Sequence, residues 1–245
     1  MSNFTDDYQS LFDVKIARSD EDLKKVHQLR YEVYVKERQW EPENDSGLEV
    51  DPFDTDAHHL LMTFKPLGLP IGTARLILPN QSNLNKSYPM QRVCFHAQSL
   101  DRHWVSSHPE FSRFAISKQA RENCLDYAKE SFQEFDLKYL FSRALSFGLI
   151  AKMTEHLRRH RFEGICAILE RPLIRLLTSN GLSVHTLGKP VEYHGLRQPC
   201  FIQVHRLKEM IHKPESDLAQ LIMTLCGKNM SANDTKMSHK DAWLN

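Results

Sequence analysis

One predicted helix and the acidic segment after it constrain the fold of this chain most. Apolar residues recur at three- and four-residue steps from Leu23 to Val33, which predicts an amphipathic helix. Arg30 and Tyr34 are four residues apart and therefore share one face of that helix. Seven acidic residues and no Lys or Arg follow between positions 41 and 56. The pattern indicates basic and aromatic groups facing an acidic loop, although a solvated surface helix and loop have the same composition.

The remaining periodic segments predict a mixed α/β protein. Strands are predicted at 12–17, 57–64, 71–78, 111–116, 164–169, 183–187 and 200–204. Helices are predicted from the N-cap Ser19 to about Gln39, over 135–160, from Pro172 to Asn180-Gly181, and over 218–225. The Pro- and Gly-containing turn at 65–70 makes the second and third strands a hairpin, and residues 119–137 show no clear pattern. This order is typical of a sheet with helices on both faces.

Composition narrows the functional classes. The chain has 245 residues, 41% of them hydrophobic and 26% charged, with a net charge of +1. A net charge this small gives no overall electrostatic attraction to nucleic acids or to membrane surfaces. Five scattered cysteines form no C-x-x-C pair, and neither a signal peptide nor an apolar run of about 20 residues is visible. We therefore expect a cytoplasmic protein with reduced thiols, no nucleic-acid partner and no stable membrane insertion.

Several motifs, in one order, resemble known enzymes. Arg30, Tyr34 and Trp40, followed by Glu49-x-Asp51-x-Phe53-Asp54, resemble the N-terminal signature of the acyl-homoserine-lactone synthases. Segments 72–76 (GTARL) and 110–115 (EFSRFA) resemble two arginine-bearing strands of that family. Segments 170–177, 180–182 and 188–199 resemble the acyltransferases associated with the PEP-CTERM/exosortase system, which are related to N-acyl amino acid synthases. The resemblance covers about residues 12–205.

The resemblance implies a fold and a reaction. It implies an acetyltransferase-like (GNAT) α/β fold for an N-acyltransferase domain at residues 1–213, followed by a short helix and mobile tail at 214–245. The expected reaction moves a fatty acyl group from acyl-carrier protein, or from acyl-CoA, to the amino group of an amino acid or related amine. No permanently bound cofactor is expected. The alternatives are an acyl-homoserine-lactone synthase using S-adenosylmethionine, and a non-catalytic acyl-carrier or lipid-binding module.

Amide formation from a thioester needs a base for the amine and donors for the oxyanion. Glu110, at the mouth of the fourth strand, is the candidate base, and the alternative is that it only pairs with Arg113. Arg113 is the second catalytic candidate. His194 is the third, because an imidazole titrates near neutral pH, although it also fits a structural histidine in a turn before Gly195.

The candidate substrate-binding residues combine arginines, acids and aromatic rings. Arg30 and Arg75, with Arg113, are predicted to form a basic cluster for the carboxylate of the acceptor. Asp51 and Asp54 either hold those arginines or bind the acceptor's ammonium group, and a purely structural salt-bridge lattice is the alternative. Tyr34 and Trp40 close the pocket or belong to the core.

The prediction of the acyl donor depends on the positions of glycines and of basic residues. No glycine occurs after the Ser112-Arg113 strand until Gly148, so a glycine-rich loop for the pyrophosphate of coenzyme A is not expected. A basic patch for acyl-carrier protein is predicted instead, with a solvated helix face as the alternative. Its residues are Lys138, Arg143, Lys152, Arg158, Arg159 and Arg161. Adjacent His58 and His59 face opposite ways in a strand and have no third ligand at suitable spacing, so no metal site is predicted.

Overall fold

The computed structural model describes residues 3–79, 88–94, 108–132, 135–204 and 212–227. The strands are β1 (Phe12–Ala17), β2 (Ala57–Phe64), β3 (Leu69–Ile77), β4 (Glu110–Ile116), β5 (Gly164–Glu170), β6 (Val184–Thr186), β7 (Val191–Glu192) and β8 (Leu196–Gln203). The α-helices are α1 (Phe4–Leu11), α2 (Asp20–Tyr31), α3 (Pro89–Val93), α4 (Lys118–Ser131), α5 (Leu137–Ser142), α6 (Phe147–Arg159), α7 (Arg171–Ser179) and α8 (Asp217–Gly227).

The described strands form one mixed sheet in the order β1-β2-β3-β4-β5-β8-β6, with β7 paired to β8. Neighbouring strands are antiparallel except for β4 and β5, which run parallel. The predicted hairpin of β2 and β3 is confirmed, and Gly68 closes it in a left-handed conformation with φ of 61°. The predicted mixed α/β sheet with helices on both faces is likewise confirmed.

Helices cover the two faces of the sheet unequally. The main hydrophobic core lies on one face, here called the core face, which carries Leu60 and Met62 of β2 and packs against α1, α4, α6 and α8. The opposite face, here called the site face, carries Arg75 and Glu110 and lies under α2, α3 and the acidic segment 41–56. The chain thus separates a dry core from a polar site by using the two sides of one sheet.

Local signals explain most helix boundaries. Ser19 caps α2 by accepting a hydrogen bond from the Asp22 amide, as predicted. Pro172 lies in the first turn of α7, and Gly181 follows its end with φ of 86°. The short helix predicted near the C-terminus is present as α8, which packs against α6 in the core. The predicted mobile tail beyond it lies outside the described residues from position 228 onward.

Four segments differ from the expectation based on sequence. The long helix predicted over 135–160 is two helices, α5 and α6, because the chain turns between Arg143 and Ser146. The first helix does not run to Gln39 as an α-helix, since it widens into a π-helical segment at Glu32–Glu37. Residues 119–137, which showed no clear pattern, lie mostly in α4, where Ser117 is the N-cap. Helix α1 was not predicted either.

Strands β4 and β5 separate soon after they meet. They pair only at Glu110 with Cys166 and at Phe111 with Ala167. Beyond these pairs β4 continues to Ile116 and β5 to Glu170 without pairing to each other. The sheet therefore opens on the side where β4 carries Arg113.

None of the described helices is long and apolar enough to cross a membrane.

Candidate active site

Arg30 lies at the centre of the site and is fully buried. Its Nε donates to Glu49 Oε2, and its Nη1 donates to Asp54 Oδ1 at 2.7 Å. Helix α2 points this side chain to the acidic segment because Val26, on the neighbouring face, is buried against Ala17 and Leu61 of the sheet. The predicted meeting of the helix and the acidic loop is therefore present.

Arg75 extends the same network from the sheet. This side chain is also fully buried, and its Nη1 donates to Asp51 Oδ1 at 2.5 Å and to Asp54 Oδ1 at 2.7 Å. Its Nε donates to Ser112 Oγ on the adjacent strand at 3.1 Å. Asp54 thus connects a helix arginine to a strand arginine.

Arg113 completes the network at the opening of the sheet. Its Nη2 lies 2.8 Å from Glu49 Oε1 and 3.1 Å from Asp51 Oδ2, and its side chain is 11% exposed. Its backbone is left-handed, with φ of 49°, where the register between β3 and β4 shifts. The alternative prediction that Arg113 pairs with Glu110 is wrong, because the acidic segment reaches the arginine first.

Three arginines and three carboxylates therefore form one buried ionic network, here called the arginine cluster. Its members are Arg30, Arg75, Arg113, Glu49, Asp51 and Asp54. Burial by itself raises a carboxyl pKa, but hydrogen bonds and charges from the arginines outweigh it, so the pKa values of Asp54 and Glu49 lie below their usual range. The predicted holding of the arginines by Asp51 and Asp54 is observed.

Not every donor in the arginine cluster is satisfied. Nη2 of Arg30 and Nη2 of Arg75 are buried and have no hydrogen-bond partner among the described residues. Buried guanidinium nitrogens are rarely left in this state, because an unmade hydrogen bond to a charged group is costly. Both atoms are therefore unpaired donors in the buried interior of the arginine cluster.

Glu110 lies apart from the arginine cluster on the same face. It is 1% exposed, and Oε2 accepts a hydrogen bond from the Met90 amide at 3.0 Å. The surrounding groups include buried Cys94 and Cys166. Burial raises the pKa of Glu110 to about 8, and the Met90 amide and the charges of the arginines reduce this effect only in part.

Three ring side chains, here called the aromatic wall, lie beside Arg113: Tyr34, Trp40 and His194. Trp40 stacks on His194 with ring centroids 5.1 Å apart and 23° between the planes, and Tyr34 packs on Trp40 at 5.7 Å. The Arg113 guanidinium lies over the Tyr34 ring at 5.2 Å. Tyr34 is buried against Ala115 in the core, whereas Trp40 is half-buried at the edge of the same cluster.

His194 reaches the site from the turn before β8. The turn is tight, with left-handed φ values of 50° at His194 and 96° at Gly195. The ring is 3.8 Å from Glu41 Oε1, yet burial lowers its pKa, so the imidazole is neutral at pH 7. The structure thus places His194 against Trp40 in the aromatic wall, in a turn before Gly195 as predicted.

The π-helical segment Glu32–Glu37 positions the aromatic residues beside Arg113 and also contacts the N-terminus of α4. Arg38 N donates to Val33 O at 2.9 Å, and Trp40 N donates to Tyr34 O at 2.8 Å, which turns the chain across the sheet. Glu37 accepts hydrogen bonds from Ser117 Oγ at 2.8 Å, Lys118 N at 3.0 Å and Gln119 N at 3.2 Å. A protein carboxylate therefore occupies the N-terminus of α4.

Sequence reasoning missed several of these groups. Glu49 was quoted within a motif but given no role, although it binds two arginines. The sequence signal that could have identified Glu49 is its position two residues before Asp51 in an acidic segment. Glu37 and the Met90 amide carry no sequence signal for their contacts, because their partners lie 80 and 20 residues away.

The predicted docking residues lie on helices of the core face, away from the arginine cluster. Lys138 and Arg143 are exposed on α5 and directly after it. Lys152 and Arg159 both pair with Glu155 along α6, and Arg158 Nη1 donates to Val204 O at 3.2 Å. Arg161 is exposed in the turn after α6.

The adjacent histidines face opposite sides of the sheet, as predicted. His59 is buried on the site face, 3.7 Å from Asp54, but burial lowers its pKa to about 4, so this contact is not an ion pair at neutral pH. His58 lies on the other face beside His156 and His160 of the α6 end. No third ligand lies at suitable spacing in the sequence, but the fold brings two further histidines to His58, because the end of α6 packs there from 98 or more residues away.

Comparisons with known proteins agree with this architecture. The acetyltransferase (GNAT) domain model matches residues 29–148. No curated protein matches the chain at a significant level. Among solved structures, BjaI, a CoA-dependent acyl-homoserine lactone synthase determined with SAM and isopentyl-CoA, is 20% identical, with a TM-score of 0.59 over 89% of each chain.

Two further solved structures are similar. TofI, determined in a ternary complex with an inhibitor and MTA, is 22% identical, with a TM-score of 0.56 over 86% of this chain and 99% of its own. FeeM, an N-acyl amino acid synthase from uncultured soil microbes, is 13% identical, with a TM-score of 0.55 over 85% of this chain and 97% of its own. At these identities the likeness concerns the fold. The fold of this chain is that of the GNAT acetyltransferases, in the form that the acyl-homoserine lactone and N-acyl amino acid synthases share.

Proposed function

We propose that the protein is an N-acyltransferase that moves a fatty acyl group from acyl-carrier protein, in preference to acyl-CoA, to the amino group of an amino acid or related amine. The observation that carries the proposal is Glu110, a buried carboxyl with a pKa of about 8 on the same face as the arginine cluster. A base whose pKa lies near the working pH is suited to take the proton of an ammonium group. Such an enzyme would act in the cytoplasm.

The reaction follows from simple steps. The Glu110 carboxylate removes a proton from the acceptor ammonium group, directly or through water, and the free amine attacks the thioester carbonyl. The tetrahedral intermediate collapses to the amide, and the thiolate leaves with the proton lost by the nitrogen. The thioester is already activated, so a covalent enzyme intermediate is unnecessary. This agrees with the buried cysteines of the site, whose thiol pKa values are raised by burial.

The arginine cluster supports a carboxylate-bearing acceptor. Arg30 and Arg75 are fully buried, whereas Arg113 is 11% exposed, so its guanidinium is the group of the cluster that would pair with a substrate carboxylate. Fixing the carboxylate there would orient the amine of an amino acid toward the rest of the site face. The arginines themselves are held by Glu49, Asp51 and Asp54, so the cluster is preorganised before the substrate binds.

The opening between β4 and β5 supports an elongated thioester donor. The two strands leave backbone groups unpaired toward each other beyond Phe111, and a pantetheine chain carries amide groups that pair with such edges. Glu37 already fills the N-terminus of α4, where a diphosphate would otherwise bind. This occupation favours acyl-carrier protein as donor.

The test is in vitro acyl transfer by purified wild-type protein with acyl-carrier-protein and CoA thioesters, an amino-acid mixture and mass spectrometry. We expect N-acyl amino acids from wild type, and a loss of about 10²–10⁴-fold in Glu110→Gln with unchanged donor binding. The control is Glu122→Gln, an exposed glutamate of α4, which should retain wild-type rates.

The pH profile adds a second readout. Because the base acts when deprotonated, kcat/KM should rise with pH and level above the Glu110 pKa of about 8, and Glu110→Gln should lack this limb. Acyl-homoserine lactones formed only with added S-adenosylmethionine would replace the acceptor proposal. Donor binding without any product would indicate a non-catalytic module.

A further inference from the structure

Three histidines meet on the core face, outside the proposed acyl-transfer site. His58 lies on β2, His156 on α6, and His160 directly after that helix. His58 Nδ1 and His156 Nε2 are 2.7 Å apart, and one ring nitrogen from each of the three lies within 4.8 Å of the others. The His156 and His160 ring centroids are 4.5 Å apart.

The spacing is that of a metal-binding helix. Two histidines four residues apart share one helix face, an arrangement that presents two imidazoles to one ion. The third comes from the strand under the helix, so the ligands converge from two separate elements. Imidazole nitrogens bind zinc at about 2.0–2.1 Å, which separates neighbouring tetrahedral ligands by about 3.3 Å. The His58 and His156 nitrogens, 2.7 Å apart, would have to separate by roughly 0.6 Å to bind one ion.

We propose that His58, His156 and His160 form a binding site for a divalent transition-metal ion, with zinc as the expected occupant. Three imidazoles complete three positions of a tetrahedron and leave the fourth to water. His160 is exposed while His156 is buried, so the open position faces solvent.

The charges around the site set its strength. Arg18 lies near His58, and Lys152 and Arg159 near His156. Glu155 pairs with Lys152 and Arg159 and offsets part of their charge. His58 Nδ1 and His156 Nε2 are hydrogen-bonded to each other, so a bound ion would displace the proton that they share. We expect moderate affinity, because the net surroundings of the ion are cationic.

A second group of ligand atoms, His27, Asp54 and His59, supports no such inference. Asp54 already binds the two cationic side chains of Arg30 and Arg75. An added cation there would compete with both arginines. The three-histidine site is on the opposite face of the sheet, so it is independent of the proposed acyl transfer.

The site joins two elements that are distant in sequence. A bound ion would fix the end of α6 to β2, and binding only to the folded chain would raise the unfolding temperature. The expected role is therefore structural, and its readouts do not require enzyme activity.

The test is titration of the full-length protein, first stripped with EDTA, with CoCl₂ and then ZnCl₂. We expect one cobalt ion with the visible absorption of a four-coordinate site of three nitrogens and one water, displacement by zinc, and an increase in unfolding temperature. His160→Gln should weaken cobalt binding at least about tenfold, and His58→Asn similarly. His160 is exposed, so its variant should fold normally, which circular dichroism checks.

The matched control is His185→Gln, an exposed histidine on β6. It should bind cobalt and zinc as wild type does. Cobalt or zinc affinity unchanged in His160→Gln would overturn the proposal by placing any bound ion on other histidines. Absence of the cobalt spectrum in the folded wild-type protein at millimolar metal would overturn it as well.

Discussion

At the scale of single residues, Asp54 joins two buried arginines, and its loss should be costly. It accepts hydrogen bonds from Arg30 and Arg75, and its side chain is 6% exposed. In Asp54→Asn, Arg30 keeps Glu49 and Arg75 keeps Asp51, but the buried network loses one of its carboxylate charges. Because one buried positive charge is then uncompensated, the free energy of unfolding should fall by about 3–5 kcal/mol. Urea unfolding at pH 7, followed by tryptophan fluorescence, measures this change.

The control is Asp45→Asn, an exposed acid in the same segment, which should stay within about 0.5 kcal/mol of wild type. The Asp54 pKa is lower in the folded protein than its ordinary 3.8, so this stabilisation is present at neutral pH and is lost as pH falls below about 4. Asp54→Asn should therefore show a shallower acid decline. An equal decline in both proteins would contradict the assigned role.

Glu110 and Asp54 show how surroundings separate two carboxyls on one face. Both are buried, and burial raises the pKa of each. Asp54 receives hydrogen bonds from two guanidinium groups, which lower its pKa below the ordinary range. Glu110 receives one from a neutral backbone amide, so desolvation prevails and its pKa is about 8. One carboxyl is thereby permanently charged, and the other can exchange a proton near neutral pH.

At the scale of elements, the π-helical segment supports both the aromatic wall and α4. Glu37→Ala removes the acceptor of Ser117 Oγ, Lys118 N and Gln119 N. We expect a loss of about 1–2 kcal/mol of stability, the usual effect of a missing helix cap. Free coenzyme A should also inhibit Glu37→Ala more tightly than wild type, because the helix N-terminus becomes available. Urea unfolding and inhibition assays measure the two effects.

Glu43→Ala is the matched control for this prediction. It removes only the exposed pair with Lys36, so the change in stability should be below about 0.5 kcal/mol and inhibition by coenzyme A should not change. Equal inhibition of Glu37→Ala and wild type would contradict the idea that Glu37 excludes a diphosphate.

At the scale of the whole molecule, the proposed carrier contact can be tested separately from chemistry. The double variant Lys138→Glu/Arg143→Glu reverses exposed charges on α5 and directly after it. If acyl-carrier protein docks there, its acidic surface is repelled, and KM for the acyl-carrier donor should rise about tenfold. The value of kcat, and KM for a small acyl thioester such as an N-acetylcysteamine ester, should stay unchanged.

Lys65→Glu, at the exposed turn between β2 and β3, is the control for the docking prediction. It should behave as wild type with both donors. A rise in KM for the small thioester as well would mean that the double variant damages the site rather than the docking surface. Because Lys152 and Arg159 already pair with Glu155, the effect should be concentrated at Lys138 and Arg143.

The sequence by itself determined most elements and some of the site. Strand β1, strand β2 and the cap at Ser19 follow from alternation and capping, which act over a few residues. The opposite orientation of His58 and His59 follows from the pleat of a strand. Local patterns also indicated that Arg30 faces the acidic segment.

Only the tertiary structure decided which groups meet. The pairing of Arg113 with Glu49 joins residues 64 positions apart, and that of His58 with His156 joins residues 98 apart. Such contacts depend on how α6 packs on the sheet and how the acidic segment crosses it, and no local pattern encodes either. The raised Glu110 pKa has the same origin, because desolvation is a property of everything packed around the carboxyl.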